Sequence, residues 1–228
     1  SRRMSKPRVL DWEALVRLGK YLKGKERYVQ LYQYQESTRN NSNKFVNAWV
    51  DTDWAGCLET RRSTNGGVLM LNNHVIKTWS VTQTVIALSS GEAEYYGLVR
   101  GASIGLGIIG MMEDLGLSKR LRIKTDASVA KSISNRKGVG RIRHIEVSQL
   151  WVQDRVNRGD IEIEKVKGTH NHADQLTKFK EGPAIYKSTM ETDGEVRNDR
   201  HPDMPKMSEG VPTELDGGTH VHPGGEEE

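Results

Sequence analysis

The length, composition and charge of the chain exclude several classes of protein. It has 228 residues, of which 35% are hydrophobic, a mean hydropathy of −0.66 and a formal net charge of +4. The longest apolar run, residues 101–112, is too short to span a bilayer, and no basic-then-apolar secretory leader opens the sequence. The single cysteine, Cys57, excludes an internal disulfide and a multi-cysteine zinc site, so we expect an intracellular protein.

The net charge is unevenly distributed along the chain. Residues 181–228 contain twelve acids and four bases, so they carry −8 and residues 1–180 carry +12. A basic body of this size favours a polyanionic partner such as nucleic acid, although surface solvation explains the charge alone equally well. The acidic tail is rich in proline and has no apolar period, which predicts disorder from residue 181 onward.

A helix and a strand are predicted before the main domain. Residues 9–23 carry apolar side chains at helical spacing and are followed by Gly24, which indicates an amphipathic helix. Residues 28–34 alternate as a strand does. Residues 36–44 are polar and aperiodic, which indicates a linker.

The first strand of the main domain ends in a pair of acids. Residues 46–50 alternate, and the run ends at Asp51 and Asp53, which point to the same face of a strand. Two such carboxylates repel each other unless cations lie between them, so they indicate a metal site with oxygen ligands. The alternative is that both are turn residues, as aspartates at strand ends often are.

The next segments predict a hairpin. Residues 67–71 and 75–81 read as strands, and residues 72–74, Asn-Asn-His, have good turn chemistry. Together with the first strand they form an antiparallel meander of three.

A long helix is predicted from Ser89 to about Leu115. Ser89 and Glu92 form a capping box, which gives Glu92 a structural role. Glu94 lies about 200° round the helix from Glu92, so it needs another explanation. A row without side chains, which permits close packing on a sheet or another helix, is formed by Gly97, Gly101 and Gly105.

The remainder of the domain alternates between helices and strands. The predicted order is a strand at 121–125 that ends at Asp126, a short helix at 127–135, a basic loop at 136–143, a helix at 144–156, a strand at 161–166 and a helix at 173–179.

Six motifs in this order carry a family resemblance. They are DTDWAG at 51–56, RRST at 61–64, ALSSGEAEYYGL at 87–98, KTDASVAKSI at 124–133, RHIEV at 143–147 and NHADQLTK at 171–178. The chain resembles the ribonuclease H domain at the C-terminal end of the Pol polyprotein of copia-type LTR retrotransposons. Residues 4–24 are similar to the end of the reverse transcriptase that precedes this domain.

The resemblance implies a fold and a domain organisation. The fold class is α/β: a ribonuclease H-like mixed five-stranded sheet, with an antiparallel three-strand meander plus parallel strands, flanked by helices. Residues 1–35 are then a reverse transcriptase remnant, 36–44 a linker, 45–180 the ribonuclease H-like domain and 181–228 a disordered acidic tail.

It also implies an activity, namely endonucleolytic hydrolysis of the RNA strand of RNA/DNA hybrids during reverse transcription. The family uses four carboxylates around two Mg²⁺ ions, with Mn²⁺ as an alternative, and these correspond to Asp51, Glu94, Asp126 and Asp174. Oxygen ligands without sulfur suit two such ions. His170 is a further catalytic candidate, because cellular relatives carry a mobile histidine in this loop; exposed loop histidines explain His170 and His172 equally well.

Each of the four acids also has a local explanation. Asp126 could cap the following helix, and Asp174 could be the third residue of a helix capped by Asn171. Glu94 could be an exposed helix acid and Asp51 a turn residue. For each acid taken singly, the local explanation is favoured over a catalytic role. It is improbable, however, that four acids with only local roles would all fall at the positions of the family pattern.

The expected partners are an RNA/DNA hybrid and the reverse transcriptase part of the same polyprotein, without a membrane, in a cytoplasmic particle or the nucleus. Predicted contacts to the 2′-hydroxyl groups of RNA are Asp53, Trp54, Ser89, Ser90 and Ser128. Predicted contacts to phosphates are Arg61, Arg62, Arg136, Lys137, Arg141 and Arg143.

Two other interpretations remain open. One is a catalytically silent ribonuclease H-like module that tethers nucleic acid, although a tether needs none of the four acids. The other is a decayed transposon copy fused to other sequence, for which the unusual tail is the reason. A resolvase or integrase core would share the metal chemistry but not the RRST, SSGEAEY and ADQLTK motifs.

Overall fold

The computed structural model describes residues 4–23, 27–34, 44–138, 145, 147–192 and 194–197. The helices and strands, in chain order, are α1 (Val9–Lys23), β1 (Arg27–Gln30), β2 (Phe45–Asp53), β3 (Thr64–Leu71), β4 (His74–Thr82), α2 (Ser90–Asp114), β5 (Arg120–Thr125), α3 (Ser128–Ser134), α4 (Trp151–Arg158), β6 (Ile161–Lys165), α5 (Gly182–Met190) and β7 (Gly194–Arg197).

Five of the strands form the main sheet, in the order β4-β3-β2-β5-β6. β2, β3 and β4 are antiparallel neighbours, whereas β5 runs parallel to both β2 and β6. The predicted α/β architecture, a mixed five-stranded sheet with an antiparallel three-strand meander plus parallel strands, is confirmed. Because β2 and β5 are parallel neighbours, their C-terminal ends meet at one edge of the sheet.

The predicted glycine row allows α2 to pack closely against the sheet. A Cβ added to Gly97 would lie 2.4 Å from the Thr52 hydroxyl, and one on Gly101 would lie 2.5 Å from a Val50 methyl. The third glycine, Gly105, is equally close to Leu121 of β5. The helix therefore crosses the sheet at a separation that side chains in this row would prevent.

Apolar side chains fill both faces of the sheet. The larger core lies between the sheet and the helices and includes Val50, Leu98 and Ile123, all at most 1% exposed. A smaller cluster covers the other face, where Trp49 packs with Val68, Met70 and Ala173. Ala173 belongs to the segment after β6, which is thereby fixed over the end of β2.

Two predicted helices differ from those observed. The helix predicted at 144–156 is a short 3-10 helix, Val147–Gln149, followed by α4, and His144 lies outside the described residues. The helix predicted at 173–179 is wrong: only one 3-10 turn, Asp174–Leu176, forms there. Thr177, which follows that turn, is held by a hydrogen bond to Asp51, so the segment bends toward the sheet.

The first part of the predicted disordered tail carries regular structure. Residues 182–190 form α5 and residues 194–197 form β7, which pairs antiparallel with β1 in a separate two-stranded sheet. The remainder of the predicted tail, 198–228, lies outside the described residues, as does the predicted linker apart from Lys44. Among the helices that the structure describes, none has the length and apolar content needed to cross a membrane.

Candidate active site

Asp51 lies in β2, near its C-terminal end, and is 2% exposed. Its register partner on β3 is Gly66, where a Cβ would lie 2.6 Å from the Thr177 methyl. This glycine allows Thr177 to approach, and the Thr177 hydroxyl donates a hydrogen bond to Asp51 Oδ2. Burial raises the pKa of Asp51 above its ordinary value, and the Thr177 hydroxyl and the Lys178 ammonium group partly oppose that rise.

Glu94 projects from the second turn of α2 toward the same edge of the sheet. Its Oε2 atom is buried and has no hydrogen-bond partner among the residues that the structure describes. Burial, together with the negative charges of Asp51 and Asp126, raises the pKa of Glu94 to about 8. A buried, unpaired carboxylate oxygen is costly unless a cation binds it. Glu92 has the structural role predicted for it, but its carboxylate accepts from the Leu88 amide rather than from Ser89.

Asp126 follows β5 directly, at the edge where β2 and β5 end. It is not the helix cap considered as an alternative, because Ala127 occupies the N-cap of α3 and its amide bonds to the Thr125 hydroxyl. Gly168 lies against the Asp126 carboxylate, so that a Cβ there would be 3.0 Å from Oδ2. The carboxylate therefore lies in a restricted space beside the loop after β6.

Three of the four predicted acids come together. One carboxylate oxygen from each of Asp51, Glu94 and Asp126 lies within 4.8 Å of the other two. These oxygens come from two strand ends and a helix, and within the described part of the chain no sulfur or nitrogen ligand joins them. A hard divalent cation such as Mg²⁺ prefers oxygen ligands of this kind, so the donor set fits a metal ion.

Asp174, the fourth predicted acid, is held by two lysines. Lys178 contacts its Oδ1 atom and Lys180 contacts its Oδ2 atom. Lys178 also lies 3.5 Å from Asp51 Oδ2, so it bridges the two carboxylates. Burial favours a higher pKa for Asp174, but the hydrogen bonds from both lysines outweigh it and lower that pKa.

Two residues without a predicted catalytic or binding role place this segment on the sheet. Asn171 is 6% exposed, and its amide group donates to the Val50 carbonyl oxygen at 2.9 Å, one residue before Asp51. Thr177 then bonds to Asp51 itself. Both lie in the NHADQLTK motif, but no local pattern shows which partner a polar side chain finds 120 residues away.

We expect Asn171→Ala to lower the free energy of unfolding by about 1–3 kcal/mol, because it leaves the buried Val50 carbonyl without this donor. Urea unfolding measures the change. The matched control is Asn135→Ala. The exposed Asn135 side chain bonds to a carbonyl of its own helix, so its loss should cost less than about 0.5 kcal/mol. Equal losses in the two variants would contradict the anchoring role of Asn171.

The two histidines of the loop differ. His170 ends an exposed 3-10 turn, Gly168–His170, with its Nδ1 atom 3.2 Å from the Thr169 hydroxyl, and it is two residues from the glycine that contacts Asp126. His172 instead packs on the Trp49 ring at a centroid distance of 4.8 Å, and burial lowers its pKa. His172 is therefore a packing residue rather than a solvent-exposed one, and the role of His170 stays a prediction.

Several predicted nucleic-acid contacts lie near the start of α2. The half-exposed Trp54 donates from its indole nitrogen to the Ala87 carbonyl oxygen at 3.1 Å. Ser89 caps α2 by accepting from the Glu92 amide, whereas Ser90 is exposed. The indole thus lies beside the helix start that bears Glu94.

The remaining predicted nucleic-acid contacts lie in several different parts of the domain. Arg61 and Arg62 are exposed on the loop after β2, which is the strand that holds Asp51. The Asp53 carboxylate packs over Gly56 and is not in the three-acid group. Ser128 is exposed and accepts a hydrogen bond from Lys165. The structure also describes Arg136 and Lys137, while Arg141 and Arg143 lie outside the described residues.

No protein-family model matches the chain. The Retrovirus-related Pol polyprotein from transposon TNT 1-94 of Nicotiana tabacum is 27% identical over 180 residues, which cover 78% of this chain and 13% of that protein. The corresponding polyprotein from transposon RE2 of Arabidopsis thaliana is 29% identical over 181 residues, covering 78% and 12%. The chain thus spans about an eighth of the length of these relatives. They confirm the predicted resemblance to a copia-type retrotransposon Pol polyprotein.

Among solved structures, the N-terminal RNase H domain of a Mycobacterium tuberculosis protein, determined as a fusion with maltose-binding protein, is similar to this chain. The sequence identity is 19%, and the TM-score is 0.42. The match covers 65% of this chain and 98% of that domain.

Proposed function

We propose that this chain, which is similar over 78% of its length to a retrotransposon Pol polyprotein, hydrolyses the RNA strand of RNA/DNA hybrids with the help of divalent metal ions. The observation that supports the proposal is the convergence of Asp51, Glu94 and Asp126, whose carboxylate oxygens lie within 4.8 Å of one another. The relatives are polyproteins described as retrovirus-related, and a hydrolase of this kind would remove RNA from a newly copied DNA strand.

The acids would hold the metal ions. Asp51, Glu94 and Asp126 would supply three oxygens for one ion. A second ion would be shared by Asp51 and Asp174, which Lys178 now bridges. When bound, Mg²⁺ or Mn²⁺ would activate the attacking water and stabilise the charge on the phosphate and the leaving oxygen. Glu94 has to release its proton before it can bind a cation, because its pKa is about 8.

Other residues would orient the substrate and the ligands. The Thr177 hydroxyl fixes the Asp51 carboxylate, and Asn171 fixes the segment that carries Asp174. Trp54 and Ser90 flank the start of α2, where they could contact the sugar groups of the RNA strand. Arg61 and Arg62 could contact phosphates, which carry no sequence information, so cleavage should depend little on sequence.

The test is hydrolysis by the full 228-residue chain. We expect the wild-type protein to cut the labelled RNA strand of a hybrid in Mg²⁺ or Mn²⁺, and EDTA to stop the reaction. Asp126→Asn removes one charged ligand and should reduce cleavage about a hundredfold or more, because a loss of about 2.7 kcal/mol in the barrier has that effect. The matched control, Asp154→Asn, changes an exposed acid of α4 and should cleave like the wild type.

Equal cleavage by the wild type and Asp126→Asn would exclude these acids as the source of the activity. If the wild type instead binds the hybrid in a salt-sensitive manner and cuts nothing in either metal, the silent tethering module is the better description.

A further inference from the structure

Lys178 lies between two acids of the candidate site. Its ammonium group contacts Asp174 Oδ1 and lies 3.5 Å from Asp51 Oδ2. Asp51 is 2% exposed at this point, so Lys178 is a cation placed against a buried carboxylate. Lys180 takes the other oxygen of Asp174 but is paired with that acid alone in the described part of the chain.

Both oxygens of Asp174 therefore have an ammonium partner. A divalent cation shared by Asp51 and Asp174 needs oxygens that Lys178 now contacts. Its charge would also be repelled by the ammonium group, which is costly at separations of a few ångström. One cation has to replace the other.

We propose that Lys178 is a built-in competitor for the second divalent cation and thereby sets the affinity of the site for it. This inference rests on the proposed function, since it concerns the cation that Asp51 and Asp174 would share. Lys178 neutralises the two acids when the ion is absent and withdraws when the ion binds. It is not itself a metal ligand, because an ammonium group has no free electron pair to donate.

The Lys178 side chain can leave the two acids and move into solvent. Its side chain is 47% exposed, although its ammonium group lies against the buried Asp51 and the partly buried Asp174. The stem has four methylene groups, so the charge can swing into solvent, where an ammonium group is strongly hydrated. The Thr177 hydroxyl also donates to Asp51 Oδ2, so this carboxylate has a second partner that does not depend on Lys178.

The experiment is to titrate the full chain with Mn²⁺ and to count free ions by electron paramagnetic resonance. We expect Lys178→Met to lower the dissociation constant of the weaker Mn²⁺ ion about tenfold, since it removes the competing charge but keeps the length of the stem. Lys187→Met is the matched control, because Lys187 is 80% exposed and, among the residues that the structure describes, is paired with Glu191 of its own segment alone. This control should bind Mn²⁺ like the wild type.

Thermal unfolding in EDTA provides a second readout. Lys178→Met should unfold at a lower temperature than the wild type, because the acids lose a partner, and it should gain more stability from added Mn²⁺ than the wild type gains. A lysine that only positions the acids predicts the opposite for the metal: weaker Mn²⁺ binding in the variant. Either weaker or unchanged binding of the weaker ion would overturn the inference.

Failure of the Lys178 proposal can be distinguished from failure of the proposed metal-dependent function. If the wild type binds Mn²⁺ and Asp126→Asn weakens that binding, the metal site stands whatever Lys178→Met does. If neither the wild type nor Lys178→Met binds Mn²⁺ at millimolar concentration, the competition is refuted together with the metal site.

Discussion

Glu94→Gln should abolish most of the hydrolytic activity and at the same time stabilise the protein at alkaline pH. The glutamine amide supplies no negative charge, so the variant binds the metal ion more weakly than the wild type does. The rate of cleavage should therefore fall about a hundredfold or more. Glutamine has nearly the same shape as glutamate, so the packing of α2 should be retained. Hybrid cleavage in Mg²⁺ measures the first effect.

The stability effect follows from the pKa of Glu94, which is about 8 in the folded chain and ordinarily about 4.5. Between these two values the folded state binds more protons than the unfolded state. The free energy of unfolding contributed by this group therefore falls as pH rises through the window from about 4.5 to 8. Each unit of difference corresponds to about 1.4 kcal/mol, so the loss by pH 8 is substantial.

Urea unfolding in EDTA at pH 5, 6.5 and 8 tests this expectation. Glu94→Gln remains neutral, so its advantage over the wild type should be smallest at pH 5 and should grow toward pH 8. Saturating Mg²⁺ should shrink the advantage at pH 8, because the metal displaces the proton in the wild type alone. The matched control is Glu113→Gln, an exposed acid in the last turn of α2. A constant difference between Glu94→Gln and the wild type across this pH range would be incompatible with a raised pKa.

The convergence of the three acids was predicted from the family resemblance, and local signals explain where each acid lies in its own element. Asp51 lies near the C-terminal end of β2 and Asp126 directly follows β5, and parallel neighbours bring such positions together. The capping box fixes where α2 begins, and it separates the structural Glu92 from Glu94. The glycine row then fixes the face of α2 that meets the sheet, and Glu94 lies one turn before Gly97 on that face.

The surroundings of Asp174 were not predictable in the same way. Asp174 and Lys178 are four residues apart, the spacing of an ion pair on an α-helix, but the segment makes only a single 3-10 turn. Its path is decided by hydrogen bonds to β2, which is more than 120 residues away in sequence. The position of Lys178 between two acids depends on that path.

The pairing of β1 with β7 was also beyond the reach of local patterns. These short strands are separated by more than 160 residues, and the register joins Arg27 to Arg197 and Gln30 to Gly194. The composition after residue 180 is that of a disordered segment, and four residues with one apolar side chain give no strand signal. A partner elsewhere in the chain supplies the hydrogen bonds that the local sequence does not predict.

Gly97→Ala should destabilise the fold, even though alanine favours helices more than glycine does. The added methyl group would lie 2.4 Å from the Thr52 hydroxyl, so the buried Thr52 side chain, α2 or β2 has to move. Overpacking of this kind costs about 1–3 kcal/mol, which exceeds the gain of about 0.5–1 kcal/mol from replacing glycine in a helix. Because Thr52 adjoins Asp51 and Gly97 follows Glu94 by one turn, the displacement should also weaken Mn²⁺ binding and slow cleavage.

Gly107→Ala separates the helix-forming gain from the overpacking cost. Gly107 lies in the same helix, and beyond the adjoining helix backbone no atom of the described residues lies within 4 Å of the added Cβ. In urea unfolding, this variant should have a free energy of unfolding about 0.5–1 kcal/mol higher than that of the wild type, and its Mn²⁺ binding should be unchanged. Gly101→Ala should also destabilise the protein, because its Cβ would lie 2.5 Å from a Val50 methyl group. Its effect on Mn²⁺ binding should be smaller than that of Gly97→Ala, because Gly101 lies two turns beyond Glu94. If Gly97→Ala and Gly107→Ala shift stability in the same direction, close packing of α2 does not position Glu94.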